Sequence, residues 1–444
     1  MARQIQDAEK RSSLMFWLGA GVFLIMGFIT VASGPKRFVD FRAMYTAARC
    51  LLSHQDPYDQ GQILRVYQAE DKEYDPADER MRDVIRLYVY PPSTFVLTAP
   101  FALLPWKLAK TFWLMLFALS TILAARLIWS VAVREAPAVS GLFIAFLLIN
   151  NQVLWMTGHV SGIAIALCVI AVWCFVRERF LPAGILCLAL SLMVKPQDCG
   201  LVWLYFLMAG GLYRKRALQT LCTVAALSLP MLLWVSRVAP HWPAEIQTNV
   251  HALLAPGGIA SPGLASSGAH GLAEIVSLQA VFSVFRDNST FYNMASYLLC
   301  APLLLIFAAT AFRKRVTAQN AWLAMAVVSV LTMLPVYHRL YDARLFLLAV
   351  PACAMLWSRQ TIAGKLALAG GALYCLLAGE IPRVILLALV GAFARWSGHY
   401  AMPVTIGGTI LPLPLLFLLL SVFFLWALIV EKPQEKVAAG DSQA

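Results

Sequence analysis

The feature that most restricts this chain is a succession of apolar runs separated by short clusters of Lys and Arg. In a bilayer only helices and closed barrels satisfy every backbone N–H and C=O without water, and a helix of about 20 apolar residues is long enough to cross. The runs lie at 14–31, 108–133, 138–156, 160–176, 181–194, 200–212, 217–235, 291–312, 321–336, 345–357, 362–378 and 411–430. On the length criterion they predict about 12 spanning helices. Composition agrees, because 60% apolar and 13% charged residues leave too little polar surface to coat soluble domains, where charge is about 25%. The expected fold is an all-α polytopic membrane protein, with one membrane-embedded domain over 1–444.

The net charge of +12 raises nucleic acid as a partner, but the cations lie at the ends of apolar runs and not in a patch, so membrane lipid is the expected neighbour and nucleic acid is excluded. Arg134, Arg177 and Arg179, then Arg214, Lys215 and Arg216, Arg313, Lys314 and Arg315, Arg359 and Lys365, and finally Lys432 and Lys436 occupy alternate loops. The positive-inside rule makes those loops cytoplasmic and both termini internal, in a cytoplasmic (inner) membrane. The first run follows Arg3, Lys10 and Arg11 and reads as an uncleaved helix. The stretch 381–396 is either a further span or an amphipathic or re-entrant piece. Nine cysteines with no C-x-x-C pair indicate neither a disulfide framework nor a zinc site.

Two long loops then face outward, 32–92 and 238–290. The first carries ten of the 23 acidic residues, from Asp40 to Asp83, which makes it the expected seat of chemistry. In the second, the Gly-, Pro- and Ser-rich stretch 255–271 is expected to be a mobile gate over a lipid substrate.

Within this frame the polar motifs are few. Phe41, Tyr45, Ala48 and Leu52 are spaced as one apolar helix face that would lie along the interface, with Asp40 at its start. Asp40 reads as an N-cap or as a carboxylate held for base chemistry. Asp56, Pro57 and Tyr58 read first as a turn and second as a substrate contact. Tyr90, Pro91 and Pro92 lead into an apolar run too short to span, read as a re-entrant or lead-in helix. Asn150, Asn151, Gly158 and His159 join two runs at the outer rim, where capping and a substrate role for His159 both remain open. Lys195, Gln197 and Asp198 interrupt two short runs, so that Lys195 either pairs with Asp198 or reaches an anionic lipid phosphate. Finally Tyr337, His338, Arg339, Tyr341, Asp342 and Arg344 crowd an outer turn, where the cations would meet a departing phosphate.

Taken in order, these motifs resemble glycosyltransferase family 87, the polyprenol-phosphate-mannose-dependent mannosyltransferases of the GT-C superfamily. The likeness rests on Asp40-Phe41 with Tyr45, Ala47 and Ala48, on Asp56-Pro57-Tyr58, on Tyr90-Pro91-Pro92 leading to Pro100 and Leu104-Pro105-Trp106, and on Lys195-Pro196-Gln197. The second half matches in topology and at His338. The chain departs from the family pattern at His159, where Gln usually follows the Gly, and at His54, where Gly commonly precedes Asp-Pro-Tyr.

The resemblance implies a GT-C-like bundle and an inverting transfer of a hexose, mannose, from a polyprenyl-phosphate donor. The acceptor would be a lipid or glycan hydroxyl on the periplasmic face. Asp40 would be the general base. Lys195, Arg339 and Arg344 would steady the leaving phosphate, while His159, His338 and Gln197 would line the donor. Tyr45, Tyr58, Tyr90 and Asp342 would complete the substrate contacts. With no Asp-x-Asp motif, neither a metal nor another cofactor is expected. A transporter or lipid or glycan flippase is the rival reading. It accounts for an intramembrane Lys and short runs, but not for the acid-rich outer loop, and no inverted repeat is visible. A non-catalytic partner in envelope assembly is a second rival.

Overall fold

The computed structural model describes residues 2–32, 38–70, 78–255, 258, 260–262, 275–396 and 412–431. The stretch expected to form a gate, 255–271, lies mostly outside them, as does the C-terminal tail. The secondary structure of the described residues is helical, with one isolated antiparallel bridge between Ile275 and Arg339.

Seven of the described helices are long and apolar enough to cross a membrane: Gln6–Ala32, Trp106–Ala132, Pro137–Thr157, Gly211–Val238, Ser289–Arg313, Leu340–Ser358 and Pro412–Val430. An eighth span results if Ile362–Ala378 and Glu380–Leu386, which meet at an angle of 68°, are one broken segment. The sequence predicts more spans because it counts short runs. Leu181–Val194 and Pro196–Ala209 have 14 residues each, about 21 Å of helix against a hydrocarbon core of about 30 Å. Proline sets several boundaries. Pro137 and Pro196 open helices at the first position, where the missing N–H costs nothing.

Ser161–Arg177 and Ala318–Leu331 form the centre and are buried nearly throughout. Gly211–Val238 and Ser289–Arg313 lie outermost, with Leu229, Leu233, Leu298 and Leu305 exposed. That is the arrangement of a bundle in lipid, where outward leucines carry no penalty. Pro137–Thr157 breaks at Asn150 and Asn151, whose side-chain amides donate back to the carbonyls of Phe146 (2.9 Å) and Leu147 (2.6 Å). The bend after Ala378 is pinned to this break. Glu380 accepts from the Val153 N–H at 2.9 Å, and Asn150 accepts from the Ile381 N–H at 3.0 Å.

A layer of short helices covers one end of the bundle: Val39–Leu52, Gln60–Glu70, Glu79–Arg86, Phe95–Ala102 and Trp242–Leu254. Asn249 ties the last to the rest, donating to the carbonyls of Tyr58 and Tyr88 at 3.1 Å and accepting from Gln60 at 2.8 Å. The first helix departs from expectation. Its spacing predicts one buried face, yet Phe41 through Ala48 are all buried. Phe41 stacks on Trp113 at 4.3 Å, and the neighbouring helices Gln60–Glu70 and Glu79–Arg86 close over the face that would otherwise meet water.

Candidate active site

Five segments distant in sequence meet where the short-helix layer sits on the bundle. Asp40 comes from the start of Val39–Leu52 and is partly exposed. It is not the cap. The N-cap is Phe38, in a left-handed conformation (φ 75°) and without a side-chain capping bond, and its N–H donates to the Met156 carbonyl at 2.7 Å. Asp40 is therefore the second helical residue, placed in the positive field of the first turn.

His159 is delivered by a tight turn. Gly158 has φ 65°, and a Cβ there would lie 2.9 Å from that of Phe41, so only glycine fits both the conformation and the space. Its carbonyl accepts from the Trp113 indole at 2.9 Å. The His159 ring then meets Tyr90 through Nε2 at 3.2 Å and Ser161 through Nδ1 at 2.7 Å, and packs against Tyr341 at 4.4 Å between ring centres. Burial first, and the Lys195 charge second, hold His159 well below the usual imidazole range, so it is neutral. Tyr90, entering on the extended stretch before Pro91, is raised by burial first and by the Asp40 charge second. Asp40 and Tyr90 thus share one electrostatic neighbourhood.

Behind them lies a buried ionic cluster. Lys195, in the break between Leu181–Val194 and Pro196–Ala209, donates to Ser161 Oγ at 2.5 Å and to the Asp342 carboxylate, and stands 3.3 Å from Asp198. Burial disfavours its ammonium, but Asp198 and Asp342 more than reverse this and raise its pKa. The functional pull expected of a lone cation on a lipid headgroup is thus met within the protein by two carboxylates. His338 stands 3.2 Å from Asp198 through Nε2 and 3.0 Å from the Val336 carbonyl through Nδ1. The second Asp342 oxygen accepts from the Arg339 N–H at 3.1 Å, and Arg339 Nε donates to the Tyr337 hydroxyl. Asp198, His338 and Asp342 each offer a ligand atom within 4.8 Å of the others. The Lys195 ammonium, bonded to Asp342 and close to Asp198, supplies the positive charge at that spot, so a metal would have to displace it.

Of the residues singled out from sequence, the structure brings Tyr90, His159, Lys195, His338, Arg339 and Asp342 together with Asp40 at the edge. Others lie elsewhere. The Tyr45 hydroxyl donates to the Leu104 carbonyl at 2.9 Å, and that of Tyr58 to the Tyr90 carbonyl at 3.0 Å, both within packed aromatic groups. Asp56 closes a turn, accepting from the N–H of Tyr58 at 2.8 Å. Arg344 pairs with Glu380 at 2.9 Å and turns away from Lys195 to brace the bend after Ala378. Gln197 is exposed. Ser161, Tyr341 and Tyr337 were not singled out as site residues by sequence reasoning. Ser161 carried a weak signal, a hydroxyl two residues after a histidine at a helix start.

A family model described as glycosyltransferase family 87 matches residues 88–336, more than half of the chain. The match takes in Tyr90, His159, Lys195 and Asp198, and stops before Arg339 and Asp342. No curated protein and no solved structure matches.

Proposed function

The chain belongs to glycosyltransferase family 87, and from that premise we propose that it transfers mannose from a polyprenyl-phosphate donor to a lipid or glycan hydroxyl, with inversion, on the periplasmic face of the inner membrane. The observation that carries this reading is the partly exposed Asp40 carboxylate beside a buried cluster bearing both signs of charge. The acceptor oxygen attacks the anomeric carbon as Asp40 takes its proton. The bond from that carbon to the phosphate oxygen breaks, and the electron pair leaves with the polyprenyl phosphate. Arg339, partly exposed at the cluster's rim, is placed to meet that phosphate. Lys195 then acts from behind, fixing Asp342 and through it the Arg339 backbone.

A groove of about 410 Å³ runs beside this end of the bundle, lined by Leu52, Phe95, Pro100, Leu103, Leu227 and Trp234. It is apolar, as a polyprenyl chain requires, and Phe95 lies just after the segment that supplies Tyr90. The test is transfer of radiolabelled mannose from polyprenyl-phosphate mannose to a membrane lipid extract by purified protein in nanodiscs. A new labelled glycolipid with the wild type, lost with Asp40→Asn, is the expected result. Movement of the donor across the bilayer with no new glycosidic bond would overturn it.

A further inference from the structure

A second groove lies at the other end of the bundle. Gly211–Val238 has 28 residues, about 42 Å of helix, and its C-terminal end leads into Trp242–Leu254 of the short-helix layer. Its start is therefore remote from the candidate active site, at the end that the positive-inside rule assigns to the cytoplasm. There it packs beside Leu181–Val194, and the two helices enclose a groove of about 850 Å³. Pro182, Ile185 and Leu186 form one wall and Leu218 and Cys222 the other, with Arg214 and Lys215 at the head. Gln219 and Thr223 also line it, but the Thr223 hydroxyl donates back to the Gln219 carbonyl at 2.9 Å.

The charge at this mouth is unbalanced. Buried Arg216 donates to the Phe175 carbonyl at 2.6 Å and to the Glu178 carboxylate at 3.1 Å, so the acidic residue of the turn before Leu181–Val194 is already neutralised. The same contacts clamp the start of the longer helix to that turn. Arg177, Arg179, Arg214 and Lys215 are exposed and have no ion-pair partner among the described residues. Arg214 is held through Nε, which donates to the Leu207 carbonyl at 3.1 Å, and its terminal amino groups remain for another anion.

We propose that this groove binds one anionic glycerophospholipid of the phosphatidylglycerol class, with its phosphate between Arg214 and Lys215 and an acyl chain between Leu186 and Cys222. The proposal goes beyond the glycosyl-transfer reading and does not depend on it. A phosphodiester offers oxygens to a guanidinium and an ammonium together, whereas a zwitterionic lipid would bring its own cation to a mouth that is already positive. Charge separates this groove from the other apolar ones. Neither that lined by Leu303 and Phe423 nor that beside Phe95 has a charged residue along it.

Native mass spectrometry of the purified protein, released from detergent with added phospholipid, tests the site. One phosphatidylglycerol should be retained where phosphatidylcholine with the same acyl chains is not. Excess inorganic phosphate should not displace it, because a free anion gains nothing from the apolar walls. Lys215→Gln, which breaks no bond to a described residue, should weaken retention about fivefold, the usual contribution of one cation at a lipid surface. Adding Arg214→Gln should bring the loss to about 25-fold. Cys222→Trp keeps every charge and fills the groove from an exposed position, so it should also lose the lipid.

A photoreactive p-benzoylphenylalanine in place of Leu186 should crosslink to phosphatidylglycerol in preference to phosphatidylcholine. The same group in place of Leu229, exposed on the longer helix but outside the groove, should show no preference. Equal retention of the two phospholipids, or wild-type retention by either the double glutamine variant or Cys222→Trp, would overturn the proposal. So would displacement by inorganic phosphate or by polyprenyl phosphate, or a protein dimer that occupies this face in place of the lipid.

Discussion

The ammonium of Lys195 is bonded to the carboxylate of Asp342, 147 residues further along the chain, and both side chains are buried. Lys195 also faces Asp198 one helical turn on, so a single cation serves two buried anions. The pair joins the break before Pro196–Ala209 to the 3-10 turn at Leu340–Ala349, and this junction sets the distance between the two halves of the site.

Replacing Lys195 with Met should destabilise the protein, because it leaves two buried carboxylates without their cation. Removing one partner of such a pair costs about 3 to 5 kcal/mol. Adding Asp342→Asn should recover part of that loss, since one of the two carboxylates left without a cation is then replaced by a neutral amide, while Asp198 remains. Thermal unfolding in detergent, followed by size-exclusion chromatography, reads both effects. An unchanged melting temperature with only a raised donor KM would mean that Lys195 serves the phosphate directly.

Asp40→Asn should leave the fold intact and reduce turnover by about 100-fold to 10,000-fold, the usual contribution of a general base. The stability change is expected to be small. Asp40 is not the cap of its helix, and its attraction to the helix dipole, which the amide gives up, is worth about 0.3 to 1 kcal/mol. Near wild-type transfer by the well-expressed variant would remove Asp40 from the mechanism.

Gly158→Ala should cost more than its single methyl suggests. The left-handed conformation alone penalises an L-residue by about 1 to 2 kcal/mol, and the new Cβ would press on Phe41. Relief comes only by moving the turn, which carries His159 away from Tyr90. Reduced thermal stability together with slowed transfer is expected, and an active variant with wild-type stability would show that the turn does not position the histidine.

Docking of the Trp242–Leu254 helix should weaken with rising pH. Burial first, and then contact with Asp56 and the charges of Asp56 and Asp59, push the Glu245 carboxyl up to about 7 from an ordinary 4.5. A raised folded pKa means that the stabilisation is complete below the ordinary value and is lost as pH rises through about 7. Hydrogen exchange across this helix should therefore be faster at pH 8 than at pH 5 after correction for the intrinsic rate, and Glu245→Gln should abolish the difference. Equal corrected protection in the wild type would refute the linkage.

The helices were legible in the sequence because the cause is local. A long apolar run in lipid must satisfy its own backbone, and the helix is the one solution open to a single segment. The positions of Trp106–Ala132, Ser289–Arg313 and Pro412–Val430 follow from that alone. So does the isolation of Lys195 and Asp198 among apolar neighbours, three residues apart and able to pair within one turn. Tertiary structure decided which distant groups they meet. Nothing near Lys195 in the sequence announces Asp342, and nothing near Arg344 announces that it turns to Glu380 instead of joining its neighbours at the site. The approach of Tyr90 to His159 across 69 residues is equally silent in the sequence. Helix association in a membrane draws on many small packing contacts spread over whole faces, and no residue type or spacing encodes their sum. The sequence therefore determined the segments and the inventory of chemical groups, and packing chose the pairs.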